Sequence, residues 1–297
     1  MKHITWHPVR DSKELQYDFE KKTRQLEKFS TTVRDRPLVL TSLSLFSQVL
    51  AIHAWKELGN RQQLLDQLRF AHIAATWHWK AMLGNGPFTI VLPGIEAFSC
   101  GRVKDNSDSD FGAWLSGIQL AMIFRDKSAM KVYLDVTYQD IVERDDMTLD
   151  PWCEPYMNFL KGVSLQDPNL LTYLYDALQK LDPSLYEPER ANFLLEVMSP
   201  IMELWAVIFL KPLDQDKFDA ALLDSQESWK RFYSTDFSED FVLTSSYYEY
   251  MDKATLMAVI YAGFRGFKVN LKSDYLPEFL IKGDFPKLEW PDPEWKS

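Results

Sequence analysis

Apolar residues recur at steps of three and four along most of this chain. That is the period of an amphipathic helix, and it predicts an all-α fold: a multi-helix bundle of antiparallel helices with at most short peripheral strands. The clearest stripe lies over residues 61–82, where Leu64, Leu65, Leu68, Ala71, Ala75, Trp79 and Met82 share a face and Arg61, Gln62, Gln63, Asp66, Gln67 and Arg69 lie off it. Trp114, Ile118, Ala121 and Met122 repeat the pattern over 113–125. Ser128, Tyr133 and Val136 carry it on after a break at Arg125 and Asp126, predicting two short antiparallel helices. Further helices are expected at 169–181, 189–210, 215–233 and 252–264, with Pro168, Pro183, Pro188 and Pro212 as punctuation. Pro200 sits inside the longest apolar pattern and should kink or split that helix, since it removes a backbone donor and crowds the preceding turn.

Strand signals are confined to the β-branched runs at 89–92 and 268–271. Residues 83–112 concentrate Gly, Pro, Asn and Asp, so they read as a long irregular connection, either a domain seam or a functional loop. The helices on both sides have wide apolar faces that something must cover, which favours one domain over 1–297. Its first 60 residues are amino-terminal helices, and residues 284–297 form an extended Trp/Pro tail. That tail holds Trp290 and Trp295 among three prolines and would expose two indoles unless it docks, on its own body or on a partner.

The chain has 297 residues, 46% hydrophobic and 26% charged, enough to bury roughly three quarters of the unfolded surface in a globular body. Cys100 and Cys153 cannot make a disulfide framework, so a reducing, cytoplasmic location is expected. Charged residues and Pro8 interrupt the first sixteen residues before an export leader could form, and apolar stretches such as 201–210 fall short of a membrane span. Net charge is -10 and uneven: residues 1–104 carry 15 Lys and Arg against 9 Asp and Glu, and residues 105–297 carry 18 against 34. Such acidity argues against nucleic-acid binding and suits a basic protein partner; solubility alone would also account for it.

Candidate chemistry is sparse. There is no phosphate loop, dinucleotide fingerprint, nucleophile elbow or H-E-x-x-H. None of His3, His7, His53, His72 and His78 pairs with another at i, i+4, so no metal site and no cofactor are expected, and His72 and His78 read as packing residues. Adjacent acids such as Asp145–Asp146 and Glu239–Asp240 read as a solvated face, and Cys153 as an inert packing thiol. Trp55, Trp79, Trp114, Trp205 and Trp229 fall on apolar stripes. Arg125 continues the Trp114 stripe and should be partly buried, against a carboxylate or helix carbonyls rather than a ligand.

Several segments in the larger carboxy-terminal part carry a family resemblance. They are AWLSGIQLAMIFRD, with Trp114, Ala121, Arg125 and Asp126; LLEVMSPIMELWAVIFL; WKRFYS; and AVIYAGFRGFKVNLKSDYLPEFLIKGDF. Taken in this order and spacing, over about residues 80–286, the chain resembles the immunity protein 49 family of bacterial polymorphic-toxin systems. Residues 1–60 and the Trp/Pro tail depart from that pattern. The shared residues read as structural: Ser273 as a cap for a helix starting at Asp274, Leu276, Phe279 and Leu280 pinning it to the core, and Gly263 and Gly266 bracketing a helix end.

The resemblance implies a non-enzymatic protein that binds and neutralises a cognate toxin, for instance a nuclease whose basic groove it covers. Asp105, Asp108 and Asp110, then Asp145, Asp146 and Asp150, then Asp236, Glu239 and Asp240 are the candidate contacts. Two other readings stand beside it: an all-helical enzyme or small-ligand receptor with a site between helices, and a chaperone or adaptor that escorts an effector.

Overall fold

The computed structural model of the chain describes residues 2–9, 11–102, 110–143, 149–235 and 246–287. It is 69% helical, and its strands are short. In chain order the elements are β1 (His3–Ile4), α1 (Ser12–Thr32), α2 (Leu40–Lys56), α3 (Arg61–Leu83), β2 (Phe88–Leu92), β3 (Ile95–Cys100), α4 (Phe111–Ile123), α5 (Lys127–Asp135), α6 (Tyr138–Val142), α7 (Cys153–Leu165), α8 (Leu170–Gln179), α9 (Pro188–Phe193), α10 (Ser199–Phe209), α11 (Gln215–Ser234), α12 (Lys253–Arg265), β4 (Lys272–Ser273) and α13 (Glu278–Lys282). Periodicity alone locates α3, α4, α5, α8, α11 and α12 to within a few residues.

The chain forms two compact units. One comprises residues 11–148, 245–248 and 285–297. In it α2 packs chiefly on α3, and α3 in turn meets α4 and α5. Side chains start its helices by accepting otherwise unpaired amide protons: Asp11 from Lys13 N at 2.8 Å, Asn60 from Gln63 N at 3.0 Å, and Asp126 from Ser128 and Ala129 N, both at 3.0 Å. Trp77, Trp79, Trp114 and Tyr133 are fully enclosed, and Trp114 Nε1 donates to the Tyr133 carbonyl oxygen at 3.1 Å. Gly117 allows that approach, since a Cβ there would lie 2.4 Å from Tyr133 Cε1. His72 and His78 are buried in this core.

Residues 83–112 lie inside this unit, and they are not wholly irregular. Phe88–Leu92 and Ile95–Cys100 form an antiparallel hairpin turned by Pro93 and Gly94, the latter at φ 75°. A proline followed by a glycine of positive φ is a favoured two-residue turn, and it is the signal that separates this hairpin from an irregular loop. At the carboxy-terminal end of the described chain, Phe285 packs edge-on against Phe124 at 5.6 Å, and the Pro286 carbonyl oxygen accepts from Arg69. The tail therefore begins docked on this unit, while Trp290 and Trp295 lie outside the described residues.

The other unit comprises residues 1–10, 149–244 and 249–284. Its amino-terminal segment is tied to its carboxy-terminal part. β1 pairs in parallel with β4, and Trp6 Nε1 donates to the Tyr250 carbonyl oxygen at 3.1 Å. The His7 imidazole lies 2.9 Å from Tyr275 Oη and 3.2 Å from Glu249 Oε2, stacked on Tyr250 at 4.4 Å. Phe159, Trp205, Phe209 and Tyr261 make a continuous aromatic cluster where α7, α10 and α12 meet.

Four local features of this unit add to the sequence reading or depart from it. α7 is a helix that the sequence pattern does not predict; Pro155 falls in its first turn, where an amide proton has no intrahelical acceptor to lose, so it does not break the helix. Of the two outcomes expected at Pro200 the split does not occur: helix is continuous from Pro188 to Phe209, and the winding changes beside the proline, where residues Leu194–Met198 are π-helical, with Ser199 N donating to the Leu194 carbonyl oxygen. Residues 268–271 form no strand: the Lys268 N–H and carbonyl oxygen are both taken by the Gln215 side chain on α11, and pairing moves to Lys272–Ser273. Ser273 does not cap a helix; its hydroxyl donates to Gln226 Oε1 at 2.7 Å, and α13 starts only after Pro277, whose ring keeps Leu276 out of helical conformation. Leu276, Phe279 and Leu280 are buried as the pinning role requires, and Gly266 ends α12 at φ 99°, whereas Gly263 lies within the helix.

Two helical runs, Pro37–Lys56 and Pro188–Phe209, are long and apolar enough to cross a membrane by length and composition, each with mean hydropathy 1.5. The apolar stretch at 201–210 is too short by itself, but its helix continues back through Pro200 to Pro188. In both runs 56% of the apolar window is buried inside the protein, as in core helices.

Candidate functional site

Of the nine acids assigned to toxin contact, Asp105, Asp108, Asp145, Asp146, Asp236, Glu239 and Asp240 lie outside the described residues. The two that are described belong to different units, and both make local bonds. Asp110 caps α4, accepting from Ala113 N at 2.6 Å. Asp150 accepts from Arg190 Nε at 2.8 Å and from Trp152 Nε1 at 3.0 Å, and the second nitrogen of the Arg190 guanidinium closes on the same carboxylate. Beside this pair Cys153 is buried, and desolvation, reinforced by Asp150, pushes its thiol up to about 12, which fits an inert packing role.

Arg125 does not ride on the Trp114 stripe. α4 stops at Ile123, and Arg125 follows its end in the left-handed region, φ 55°, while Asp126 N bonds back to the Ala121 carbonyl oxygen. From there the guanidinium donates to the Ile123 carbonyl oxygen at 3.0 Å and lies over the Phe285 ring at 5.8 Å; partial burial lowers its pKa. A helix carbonyl is thus one of its partners. Its neighbour Asp126 holds the more demanding position: it caps α5 and lies 3.0 Å from the buried His72 Nε2.

A second buried polar centre, unmarked in the sequence, surrounds Asp252. Its carboxylate accepts from Gln226 Nε2 at 2.8 Å and from Thr255 N at 2.9 Å, and Gln226 passes the chain on to Ser273. Asp252 is fully buried, and desolvation raises its pKa to about 6 despite these hydrogen bonds.

A concave feature of the α7–α13 unit is a groove of about 460 Å³. Asp167 and Leu170 line it from the α7–α8 turn, Phe209 and Lys211 from the end of α10, and Tyr261 and Arg265 from the last turns of α12. Three chain reversals bring these together. Gln166 ends α7 in the left-handed region before Pro168, Pro212 follows the end of α10, and Gly266 ends α12. The floor is the outer edge of the aromatic cluster, and the Arg265 guanidinium lies over the Phe209 ring at 5.1 Å. No motif marks the groove, because its residues come from three helix ends far apart in sequence. The only local hints are the breaker residues that end each helix.

Among the described residues no group of three or more His, Cys, Asp or Glu could hold a metal ion. The fold and this groove define an all-α helical scaffold with a concave surface of aromatic, aliphatic and cationic side chains. The chain belongs to the immunity protein 49 family, whose sequence model matches residues 66–280. That span includes every groove residue, Arg125 and all nine candidate acids, and it leaves β1, α1, α2 and the Trp/Pro tail outside. No curated protein and no solved structure matches the chain.

Proposed function

We propose that this protein binds a cognate bacterial toxin in the cytoplasm and neutralises it without catalysis, by covering a basic toxin surface of the kind a nuclease presents to its substrate. The observation that carries this reading is the family match over residues 66–280, since an immunity role implies a toxin as partner. The charge distribution supports it. Residues 105–297 hold 18 Lys and Arg against 34 Asp and Glu, a field that draws a cationic partner into fast, steered encounter.

Co-expression with the product of the neighbouring open reading frame tests the reading. Survival of the host together with a stable co-purifying complex is the expected result; continued killing with no complex would discard it. The acidic contact is tested separately, with Asp110 left in place because it caps α4. Asp105→Lys with Asp108→Lys should slow association several-fold and flatten its dependence on salt. An unchanged rate at every ionic strength would remove that loop from the interface.

A further inference from the structure

We propose that the groove at the ends of α7, α10 and α12 anchors the toxin, and that it takes an apolar side chain of the toxin flanked by a carboxylate. The inference rests on the immunity reading above and adds to it a place and a chemistry.

Charge is the first argument. Residues 1–10, 149–244 and 249–284 hold 14 Lys and Arg against 22 Asp and Glu, yet two cations, Lys211 and Arg265, line this groove. Many basic residues elsewhere in the unit are engaged: Arg190 with Asp150, Arg231 with Glu196, Lys180 with Asp176, Lys217 with Asp214 and Lys282 with Glu278. Among the described residues neither Lys211 nor Arg265 has an ion pair, and Arg265 is held by the Phe209 ring, which leaves its edge donors available. The groove's carboxylate, Asp167, is turned to its own backbone, accepting from Asn169 N at 2.7 Å. The groove is therefore locally cationic in an acidic unit and complementary to a carboxylate.

Exposed apolar residues in the same segments are the second argument. Leu165, Leu210 and Phe264 adjoin lining residues in the chain and stand 64%, 38% and 63% exposed, and Leu213, two residues beyond Lys211, is 47% exposed. Exposed large apolar side chains in the segments that supply the lining of a groove holding Phe209 and Tyr261 suit a macromolecular docking surface, where a partner covers more than the groove itself. Opposite polarity at one point also serves specificity. The acidic body attracts any cationic partner, whereas a groove that demands a carboxylate beside an apolar residue fixes register and rejects partners carrying a cation there.

The test uses the full chain and the purified product of the neighbouring open reading frame. Affinity is measured by calorimetry for Lys211→Glu, Arg265→Glu and Phe264→Ala, with Leu185→Ala, 62% exposed on the 3-10 turn before α9, as control. Lys211→Glu and Arg265→Glu should each weaken binding at least tenfold, Phe264→Ala should weaken it several-fold, and the control should stay within twofold. Hydrogen exchange on the complex should show protection over 209–213 and 261–267. Lys211 is exposed, so its replacement leaves the fold intact, and thermal melts establish that for Phe264→Ala and Arg265→Glu. Unchanged affinity in correctly folded groove variants, with protection elsewhere, overturns the groove and spares the immunity reading. Absence of binding by the wild-type chain to a demonstrably toxic partner overturns both.

Discussion

Replacing Asp252 by Asn isolates one buried carboxylate whose ionisation opposes folding. The ordinary aspartate value is 3.8, and burial raises that of Asp252 to about 6, so the folded state holds its proton more tightly than the unfolded chain. Stability contributed by that proton is greatest at low pH and falls as pH rises from about 4 to 6. A gap of about two pH units corresponds to roughly 3 kcal/mol of penalty on the fold at neutral pH, of which about half disappears between pH 7.5 and pH 5. The amide introduced by Asp252→Asn would keep one contact, with Thr255 N or Gln226 Nε2, but would oppose the other donor with its own NH₂ group, a pH-independent cost of about 1–3 kcal/mol.

Urea unfolding of both proteins at pH 5, 6, 6.8 and 7.5 separates the two effects. The difference between wild type and Asp252→Asn should move in favour of the wild type by about 1–2 kcal/mol as pH falls from 7.5 to 5. His53, whose pKa burial lowers, is present in both proteins, so its contribution cancels. Asp11, Asp182 and Asp214, whose pKa values are lowered by hydrogen bonds, lose their contributions only below about pH 4. A wild-type-to-variant difference that is flat across the series would refute the claim that this carboxylate carries a desolvation penalty.

Two further substitutions probe the α1–α6 unit. Gly117→Ala would push a methyl group into the Tyr133 ring, which is fully buried with its hydroxyl 3.2 Å from Thr76 Oγ1, and should cost about 1–3 kcal/mol in thermal unfolding; an unchanged Tm would mean that α4 and Tyr133 are not in contact. Asp126→Ala removes the cap of α5 and the acceptor of the buried His72 Nε2, for a combined loss of about 2–4 kcal/mol. Asp126→Asn keeps an acceptor oxygen and should recover part of that loss; equal destabilisation by Ala and Asn would show that the cap and the histidine contact contribute little.

Helix periodicity is local, and it carries most of the fold. The stripe from Leu64 to Met82 matches α3 almost residue for residue, because one apolar face every 3.6 residues leaves few other ways to keep those side chains out of water. The family is legible too, from ordered segments inside the matched span of 66–280. Breaks are harder. Pro93–Gly94 makes a hairpin that looks like a loop until its second strand is paired, and Pro155 is harmless only because it lands in a first turn.

An all-helical chain, its acidic balance and its family can all be read without coordinates. Which polar groups work together cannot, because that depends on packing between distant elements. Gln226 bonds Asp252 26 residues away and Ser273 47 residues away, and Phe209, Lys211, Tyr261 and Arg265 come from two helix ends far apart in the chain. Periodicity shows which face of a helix turns inward. It does not show which helix that face will meet, and it is that meeting that buries the Asp252 carboxylate and gathers two cations and two aromatic rings into one groove.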